Sequence, residues 1–431
     1  MNTPSTVFSP SHNWTQIRQD LLWSLPAPLL ALLITVVGGI NFIPFPDCND
    51  YLAIAEALRG HGTFECAAVQ PGWRSPGLPF LLAIFAPFGG YLTLNFLSLW
   101  GTVFLTLRFG HEFGLKRKVF PALFLTLSAG TIACATVPLS ETPFTFFLIL
   151  TLYLLHRNIF WGAGLALSMA TAIRPAAMCF FVPVAVFLFF TAPRQKWGKI
   201  LVFVIAANLL TVVWCIRNEA VHGEFAYSSH GGHYLLFYKA GSYLSWRTGL
   251  PFDEMREKLA AQLPPSVNFF EEDRHAKALA ISIIREDPVG YFLWAPRDIL
   301  NFFQPDITPL LERIHLASGN RGTLDILRRQ GLLSAIQHYF NGNTPAIVLT
   351  VVYLPFYFLF LLLSAVGFFK LLHRQHWHAA IAFVLLCGYF GALSIGNLDW
   401  RFRTPYLFAF ALLATYAVED IPQFLRRRAH H

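Results

Sequence analysis

The sequence predicts an all-α polytopic membrane protein, a bundle of about ten transmembrane helices with an amphipathic first outward loop and a large outward helical region. Of its 431 residues, 55% are hydrophobic and 13% are charged, whereas a soluble domain carries about 25% charged residues. Its apolar runs are long enough to span, since about 20 apolar helical residues cross a bilayer. We expect membrane helices in 1–216 and 345–431, and an outward helical region in 217–344.

The predicted spans follow the apolar runs. Those before the outward region lie at about 21–43, 78–107, 119–137 and 143–155, as two short helices within 160–190, and at 200–216. Those after it lie at about 345–370, 379–396 and 404–419. The 160–190 run is divided because Arg174-Pro175 lies at its centre, and a proline disfavours helix in the residue before it.

The positive-inside rule orients this bundle. With both termini in the cytoplasm, the basic loops at 108–118, 156–158, 192–199 and 370–378 are cytoplasmic, and the loop at 44–78 faces outward. The net charge of +8 is then a matter of topology and not of nucleic-acid binding. The predicted outward regions contain no glycosylation sequon, which favours a bacterial inner membrane over the endoplasmic reticulum.

The loop at 44–78 carries the most informative polar residues. Asp47 and Asp50 directly follow the first span, and Arg74 precedes the second. Between them, an amphipathic helical segment places Tyr51 on its apolar face. Acids at the mouth of a membrane bundle are costly unless they have a function. The alternative is that Asp47 or Asp50 only caps the amphipathic helix.

Two cysteines, Cys48 and Cys66, lie in the same loop. If the loop faces an oxidising compartment, they can form a disulfide that fastens the loop beside its acids. The alternative is two unpaired thiols. The other four cysteines lie in or at the ends of apolar spans and are expected to be small buried hydrophobic residues.

Further isolated polar residues fall on the same predicted side of the membrane. A carboxylate can act as a base toward a hydroxyl group, and an arginine can hold a phosphate with its planar fork. Their clustering on one side is what a membrane-embedded active site requires. These residues are Glu141, Arg174, Arg217, His230, His233, Arg401 and Arg403.

Several of these residues also have structural explanations. Glu141 starts a helix, where its charge favours the helix dipole. Arg174 can satisfy the carbonyl groups that Pro175 leaves unpaired. Arg401 and Arg403 can extend to the outer lipid head groups.

The two histidines, His230 and His233, have a spacing compatible with metal binding. Two histidines are too few to define a metal site. Together with the carboxylates they leave a divalent metal ion open as a cofactor, although arginines can replace such an ion at a phosphate.

A series of short motifs runs along the chain. In order, they are Asp47–Leu58, Gly60-His61-Gly62, Arg74-Ser75-Pro76-Gly77, Ser140-Glu141, Thr171–Pro175, Arg217–Phe225, Asp287-Pro288 and Arg401–Pro405. This ordered set resembles the GT-C superfamily of glycosyltransferases, in particular the branch that contains bacterial aminoarabinose transferases and protein O-mannosyltransferases. The resemblance covers most of the chain. It departs from the family at Cys48, where many relatives have a second acid; here the second acid is Asp50.

The resemblance implies a donor with a sugar on a polyprenyl phosphate, such as undecaprenyl phosphate, and an inverting displacement. Asp47 would be the general base on a hydroxyl of a glycolipid, polysaccharide or protein acceptor, and Glu141 would orient the acceptor, hold a sugar or bind a metal. Arginines would stabilise the departing phosphate. The expected phosphate-binding residues are Arg174, Arg401 and Arg403, followed by Arg74 and Arg217; Asp50 completes the catalytic set, and Tyr51, His230 and His233 are the expected substrate-binding residues.

Two other functions remain as alternatives. A transporter or flippase of a lipid-linked saccharide would need polar residues deep in its helices and usually pseudo-symmetric halves, and the sequence shows neither. A noncatalytic assembly subunit would suit the large outward region but would leave the acids of the first loop unexplained.

Overall fold

The computed structural model describes residues 14–41, 45–191, 196–264, 268–299, 303–317, 326, 330–396 and 400–419. The described chain is helical apart from turns and one isolated β-bridge between Cys66 and Val69, so the predicted all-α class is confirmed. Arg194 and its neighbours at 192–195 in the predicted basic loop, the segment 397–399 and the arginine-rich tail lie outside the described residues.

Among the described residues, five helical segments are long and apolar enough to cross a membrane. They are Trp14–Val37, Tyr91–Glu112, Trp197–His222, Thr344–His373 and Trp377–Ser394. Shorter apolar segments lie at Gly77–Phe88, Glu141–His156, Phe160–Ile173 and Pro175–Thr191. The membrane character follows from these helices, whereas the predicted count of ten spans is not confirmed.

The first loop is mostly a helix. After α1 (Trp14–Trp23) and α2 (Pro26–Val37), helix α3 runs over Pro46–His61. Pro46 occupies the first turn, where its fixed φ suits a helix, and the helix ends at Gly62, whose φ is +67°. The N-cap is Phe45, with no side-chain capping hydrogen bond. The capping explanation for Asp47 and Asp50 is therefore wrong, because both acids lie inside the helix.

The predicted span at 78–107 is not one helix. It consists of α4 (Gly77–Phe85), a 3-10 turn at Ala86–Phe88 and α5 (Tyr91–Glu112). Gly89 and Gly90 separate them with φ values of +95° and +62°, a backbone that glycine adopts without steric cost. The span predicted at 119–137 is likewise divided into α6 (Val119–Leu127) and α7 (Ala129–Ala135), because Ser128 is extended.

The next helices include the predicted break at Arg174-Pro175. Helices α8 (Glu141–His156) and α9 (Phe160–Ile173) precede it, and α10 (Phe181–Thr191) follows. Arg174 is extended, with φ −138° and ψ 120°. Helix α11 (Trp197–His222) continues past residue 216, so the expected boundary between 216 and 217 falls inside a helix.

The predicted outward region is a set of short helices with its own small core, formed by Leu236, Ala240, Leu259, Ala276 and Ala280. On the Pro288–Ile299 helix, Val289, Phe292 and Leu293 are exposed, as expected for a segment at a membrane interface. The elements are Gly231–His233, a π-helix at Tyr234–Ala240, and helices Gly241–Thr248, Phe252–Ala260, Phe269–Glu286, Pro288–Ile299, Thr308–Arg313 and Leu332–Phe340.

The last helices close the bundle, and the 3-10 turn that follows Arg401 packs against α8. They are Thr344–His373, Trp377–Ser394, the 3-10 turns Trp400–Phe402 and Thr404–Tyr406, and Leu407–Val418. Gly367 allows Thr344–His373 to approach Leu407–Val418 closely, since a Cβ there would lie 2.0 Å from the carbonyl oxygen of Leu413. The core beneath the site contains the buried Phe144, Leu148 and Tyr406.

Candidate active site

Arg74 binds both acids of α3. Its Nη2 lies 2.8 Å from Oδ1 of Asp47 and 2.7 Å from Oδ2 of Asp50, and its Nε lies 2.9 Å from the same Asp50 oxygen. The two acids are three positions apart on a helix and so share one face. The Arg74 guanidinium also lies 5.4 Å from the centre of the Tyr51 ring. These charge-assisted hydrogen bonds close α3 onto the start of α4.

Arg401 lies beside the second carboxylate oxygen of Asp47, the one that Arg74 does not contact. Its Nη1 lies 3.6 Å from Oδ2 of Asp47, and its guanidinium lies over the Phe45 ring. Burial alone would raise the pKa of Asp47, but the positive charges of Arg74 and Arg401 outweigh burial and lower the pKa below its ordinary value of 3.8. Asp47 is therefore an ionised carboxylate at neutral pH.

Glu141 and Arg174 form a second ion pair beside the first. Nη1 of Arg174 lies 2.7 Å from Oε1 of Glu141, and the Glu141 side chain is buried. The Arg174 guanidinium lies near the rings of Phe144 and Phe402, at 5.9 Å and 5.3 Å. Arg174 thus pairs with a carboxylate. Its role is therefore not limited to binding the carbonyl groups that Pro175 leaves unpaired.

These residues form one connected group, which we call the acid–arginine cluster. The charges of Arg174 and Arg401 act on Asp47 and Glu141 respectively, and the buried Tyr51 is in electrostatic reach of both ion pairs. Its three acids and three arginines balance in charge, which is what partly buried ions require. The members are Asp47, Asp50, Glu141, Arg74, Arg174 and Arg401.

The cluster combines two chemical functions. An ionised carboxylate can accept a proton from a hydroxyl group. Arginine forks bind phosphate as well as carboxylate, so an incoming phosphate would compete with the acids for the arginines. The arrangement therefore suits a reaction in which a hydroxyl attacks and a phosphate departs.

Arg403 does not belong to this cluster, although it lies only two positions from Arg401. Its side chain is fully buried. It donates to the Tyr357 hydroxyl at 2.6 Å and to the Gln304 carbonyl at 3.1 Å, and it pairs with Asp306 at 3.3 Å. The expectation that Arg403 extends to lipid head groups is therefore wrong. No local pattern predicts this pairing, because Asp306 lies in a distant segment without a recognisable motif.

Arg217 also lies apart from Asp47. It pairs with Glu65, hydrogen-bonds His222 and stacks on Trp214 with its guanidinium 4.8 Å from the ring centre. Sequence reasoning missed Glu65, because an acid in a polar loop carries no periodic signal.

The rings of the two histidines contact the ring of Trp73, the residue before Arg74. The His230 ring lies 4.1 Å from the Trp73 ring, and burial lowers the pKa of His230 to about 4. His233 is buried between Asp273 and Glu272, with nitrogen–oxygen distances of 3.2 Å and 3.1 Å. The hydrogen bond that His233 donates to Asp273 raises the pKa of His233. The pair thus connects the Trp73 loop with the Phe269–Glu286 helix. Among the described residues, no group of three or more His, Cys, Asp or Glu is arranged to hold a metal ion.

A tight turn supports Trp73 and Arg74. Gly72 has a φ of +71°, and a Cβ there would come within 2.6 Å of the Phe270 ring. Its carbonyl oxygen accepts a hydrogen bond from the Ser229 backbone N–H at 3.0 Å. The predicted outward region therefore positions the loop that carries Arg74 directly.

The predicted disulfide between Cys48 and Cys66 is wrong, since both thiols are free. Cys48 is buried against Val137 and Leu139. It lies in the first turn of α3, and Cys66 follows the end of that helix at His61. At 1.5 Å per residue, the helix carries the chain about 20 Å from Cys48, whereas a disulfide needs Cα atoms within about 7 Å.

No protein-family model matches the chain, and no curated protein matches it significantly. Its structural neighbours among solved proteins include two crystal structures of ArnT from Cupriavidus metallidurans. The apo state has a TM-score of 0.40 at 13% identity, over 94% of this chain and 78% of ArnT. The state bound to undecaprenyl phosphate has a TM-score of 0.39 at 13% identity, over 90% and 76% of the two chains. At this level of similarity, the activity of this chain must be argued from its own residues.

Proposed function

We propose that the protein is a membrane glycosyltransferase of the GT-C type, which moves a sugar from a polyprenyl-phosphate donor to a hydroxyl group of an acceptor. The observation that carries this proposal is the position of Asp47 between Arg74 and Arg401, beside the Glu141–Arg174 pair. These residues come from five separate motifs of the GT-C resemblance and converge on one site.

Asp47 is the proposed general base. The acceptor oxygen attacks the anomeric carbon of the donor sugar, its proton passes to Asp47, and the bond between that carbon and the phosphate oxygen breaks. Polyprenyl phosphate leaves with the bonding electrons, and the configuration at the anomeric carbon inverts. Asp50 keeps Arg74 in place from the same face of α3.

Arg401 and Arg174 are the proposed phosphate-binding residues. The leaving phosphate gains negative charge, and preformed positive groups stabilise such charge. Arg401 also lowers the pKa of Asp47. A donor phosphate that binds Arg401 therefore weakens the stabilisation that Arg401 gives to the Asp47 carboxylate. Donor binding thereby raises the basicity of Asp47 at the moment when it is needed.

We place the protein in a bacterial inner membrane, with both termini in the cytoplasm and the acid–arginine cluster at the periplasmic face. The balance of basic residues in the short loops supports this orientation. A donor on undecaprenyl phosphate and an acceptor in the cell envelope would both be available there.

A mass comparison of envelope glycolipids, glycans and glycoproteins tests the proposal. Cells carry the wild type, Asp47→Asn or the matched control Glu56→Gln, whose acid is exposed on the same helix, at equal protein levels. We expect one species to lose the mass of one sugar in Asp47→Asn only. Identical profiles in all three strains would contradict the proposal and would direct attention to transport of a lipid-linked saccharide.

A further inference from the structure

The carbonyl group of Thr171 lacks its ordinary hydrogen-bond partner within α9. In an α-helix, a carbonyl oxygen accepts a hydrogen bond from the N–H group four residues later. Position 175 is a proline, which has no N–H group. Thr171 is buried, and a buried carbonyl group without a partner is costly. Its donor therefore has to come from another part of the chain.

Tyr227 supplies this donor. Its hydroxyl group donates to the Thr171 carbonyl oxygen at 2.9 Å. The indole N–H of Trp214, on α11, donates to the Tyr227 carbonyl oxygen at 3.1 Å and so fixes the tyrosine backbone. The Tyr227 hydroxyl thus takes the place of the N–H group that Pro175 lacks.

The same hydroxyl group also binds the segment at residues 71–76, which we call the Arg74 loop. Tyr227 shares a side-chain hydrogen bond with Ser75, which is buried directly after Arg74. A hydroxyl group has one hydrogen to donate and two lone pairs that accept, so Tyr227 can donate to Thr171 while it accepts from Ser75. One oxygen atom therefore joins the end of α9 to the Arg74 loop.

Neighbouring contacts join the same parts of the chain. The Ser229 hydroxyl group donates to the Pro71 carbonyl oxygen at 2.7 Å. At the other end of the loop, α4 begins directly against the end of α9, since a Cβ on Gly77 would lie 2.5 Å from the carbonyl carbon of Ala172. The Arg74 loop and the end of α9 therefore form one packed junction.

The hydrogen bond from Tyr227 changes the role that is left for Arg174. A guanidinium could bind the carbonyl group that Pro175 leaves unpaired, but the Tyr227 hydroxyl already binds it. The Arg174 guanidinium instead pairs with Glu141 at 2.7 Å. The end of α9 thus presents Arg174 to the acid–arginine cluster because another residue satisfies the helix end.

We propose that Tyr227 is a positioning residue of the active site. Its hydroxyl group replaces the missing Pro175 N–H and ties the end of α9 to the Arg74 loop, so that Arg174 and Arg74 keep their places in the acid–arginine cluster. The functional part of this role rests on the proposed function, in which Arg174 binds the donor phosphate.

Hydrogen–deuterium exchange tests the junction without any substrate. Tyr227→Phe keeps the ring and removes the hydroxyl group. In the purified full-length protein in detergent, we expect faster exchange in peptides that cover 71–77 and 168–178. The control is Tyr243→Phe, which removes another buried tyrosine hydroxyl, one that donates to Asp287, and should leave both peptides unchanged. Wild-type exchange in either peptide of Tyr227→Phe would overturn the junction.

Binding of undecaprenyl phosphate tests the effect on Arg174. We expect Tyr227→Phe to raise the Kd by about tenfold or more, the effect of one lost hydrogen bond to a charged group. Tyr243→Phe should keep the wild-type Kd, although both substitutions lower the unfolding temperature. In an Arg174→Gln background, Tyr227→Phe should cause no further loss. A wild-type Kd in Tyr227→Phe, or an equal loss with and without Arg174, would overturn the positioning role.

The outcomes separate this role from the proposed function. A wild type that binds undecaprenyl phosphate but transfers no sugar would refute the proposed function, while the Kd values of the variants would still decide whether Tyr227 positions Arg174. A wild type that does not bind undecaprenyl phosphate would overturn the positioning role together with the proposed function. The exchange measurement decides the junction in either case.

Discussion

At the residue scale, the central feature is the ionisation of Asp47. Burial favours its neutral form, and Arg74 and Arg401 favour its charged form more strongly. Because the pKa is lowered, Asp47 stays ionised above its ordinary value of 3.8. The stability that its ion pairs contribute is complete above that value and is lost only as the pH falls through the lower pKa of the folded state.

Replacing Arg74 should change the pH dependence of transfer. In Arg74→Gln, Arg74 no longer opposes the effect of burial on Asp47, so the pKa of Asp47 rises. The loss of activity at acid pH then moves to higher pH. The measurement is kcat/KM for transfer between about pH 4 and 8, the range in which a raised carboxyl pKa would fall.

A matched arginine on the same helix provides the control. Arg59 is exposed near the end of α3, and Arg59→Gln should keep the wild-type profile. If the profiles of Arg74→Gln and the wild type superimpose, Arg74 does not set the ionisation of Asp47.

At the scale of elements, the turn that carries Arg401 is anchored by Arg403. Arg403 pairs with Asp306, which accepts a hydrogen bond from the Tyr353 hydroxyl at 2.5 Å. This buried pair fixes the 3-10 turns at 400–406 against the Thr344–His373 helix. The position of Arg401 over Asp47 therefore depends on an ion pair that touches neither the base nor the proposed phosphate.

Breaking this anchor should weaken phosphate binding through Arg401. Asp306→Asn removes a buried counter-ion of Arg403 and should destabilise the protein by about 3–5 kcal/mol. It should also weaken the binding of undecaprenyl phosphate. In an Arg401→Gln background, Asp306→Asn should cause no further loss of affinity, because both changes act through one group. The measurements are the unfolding temperature and the Kd in detergent.

Asp20→Asn is the control for general destabilisation. Asp20 is also a fully buried acid, and it pairs with Lys118 at 2.9 Å and with Arg108 at 3.4 Å. Its replacement should lower the unfolding temperature and leave the Kd unchanged. Wild-type affinity in folded Asp306→Asn protein would show that the anchor does not position Arg401.

The sequence could predict some of these elements and not others. The break at Arg174-Pro175 was predictable because proline acts locally on its neighbours. The break at Gly89-Gly90 lies inside an apolar run, and apolarity alone does not reveal where a helix ends. The charged motif residues on one predicted side pointed to a site, and the structure brings most of them together. The pairs of Arg403 with Asp306 and of Arg217 with Glu65 join distant segments, so no local pattern predicts them.

At the scale of the whole molecule, the orientation in the membrane decides which substrates can reach the cluster. Gly77–Phe88 contains fewer residues than the roughly 20 that cross a bilayer. Arg74 joins this short segment to α3 of the first loop. Helices α3 and α4 thus form one structural unit at the proposed periplasmic face.

Thiol labelling of single-cysteine variants tests this orientation. Cys66 is partly exposed in the first loop, and a membrane-impermeant reagent should label it from outside intact spheroplasts. Lys116→Cys, at an exposed position in a predicted cytoplasmic loop, should react only after permeabilisation. Labelling of Lys116→Cys from outside would reverse the proposed topology.

The most direct test of the central claim is transfer by the purified protein. A panel of labelled sugars on undecaprenyl phosphate is mixed with envelope glycolipids and glycans, and labelled product is measured for the wild type, Asp47→Asn and Glu56→Gln. We predict product with the wild type and Glu56→Gln, and a loss of about 100-fold or more in Asp47→Asn, the range expected for a missing general base. Transfer by Asp47→Asn at the wild-type rate would contradict the assignment of Asp47 as the base.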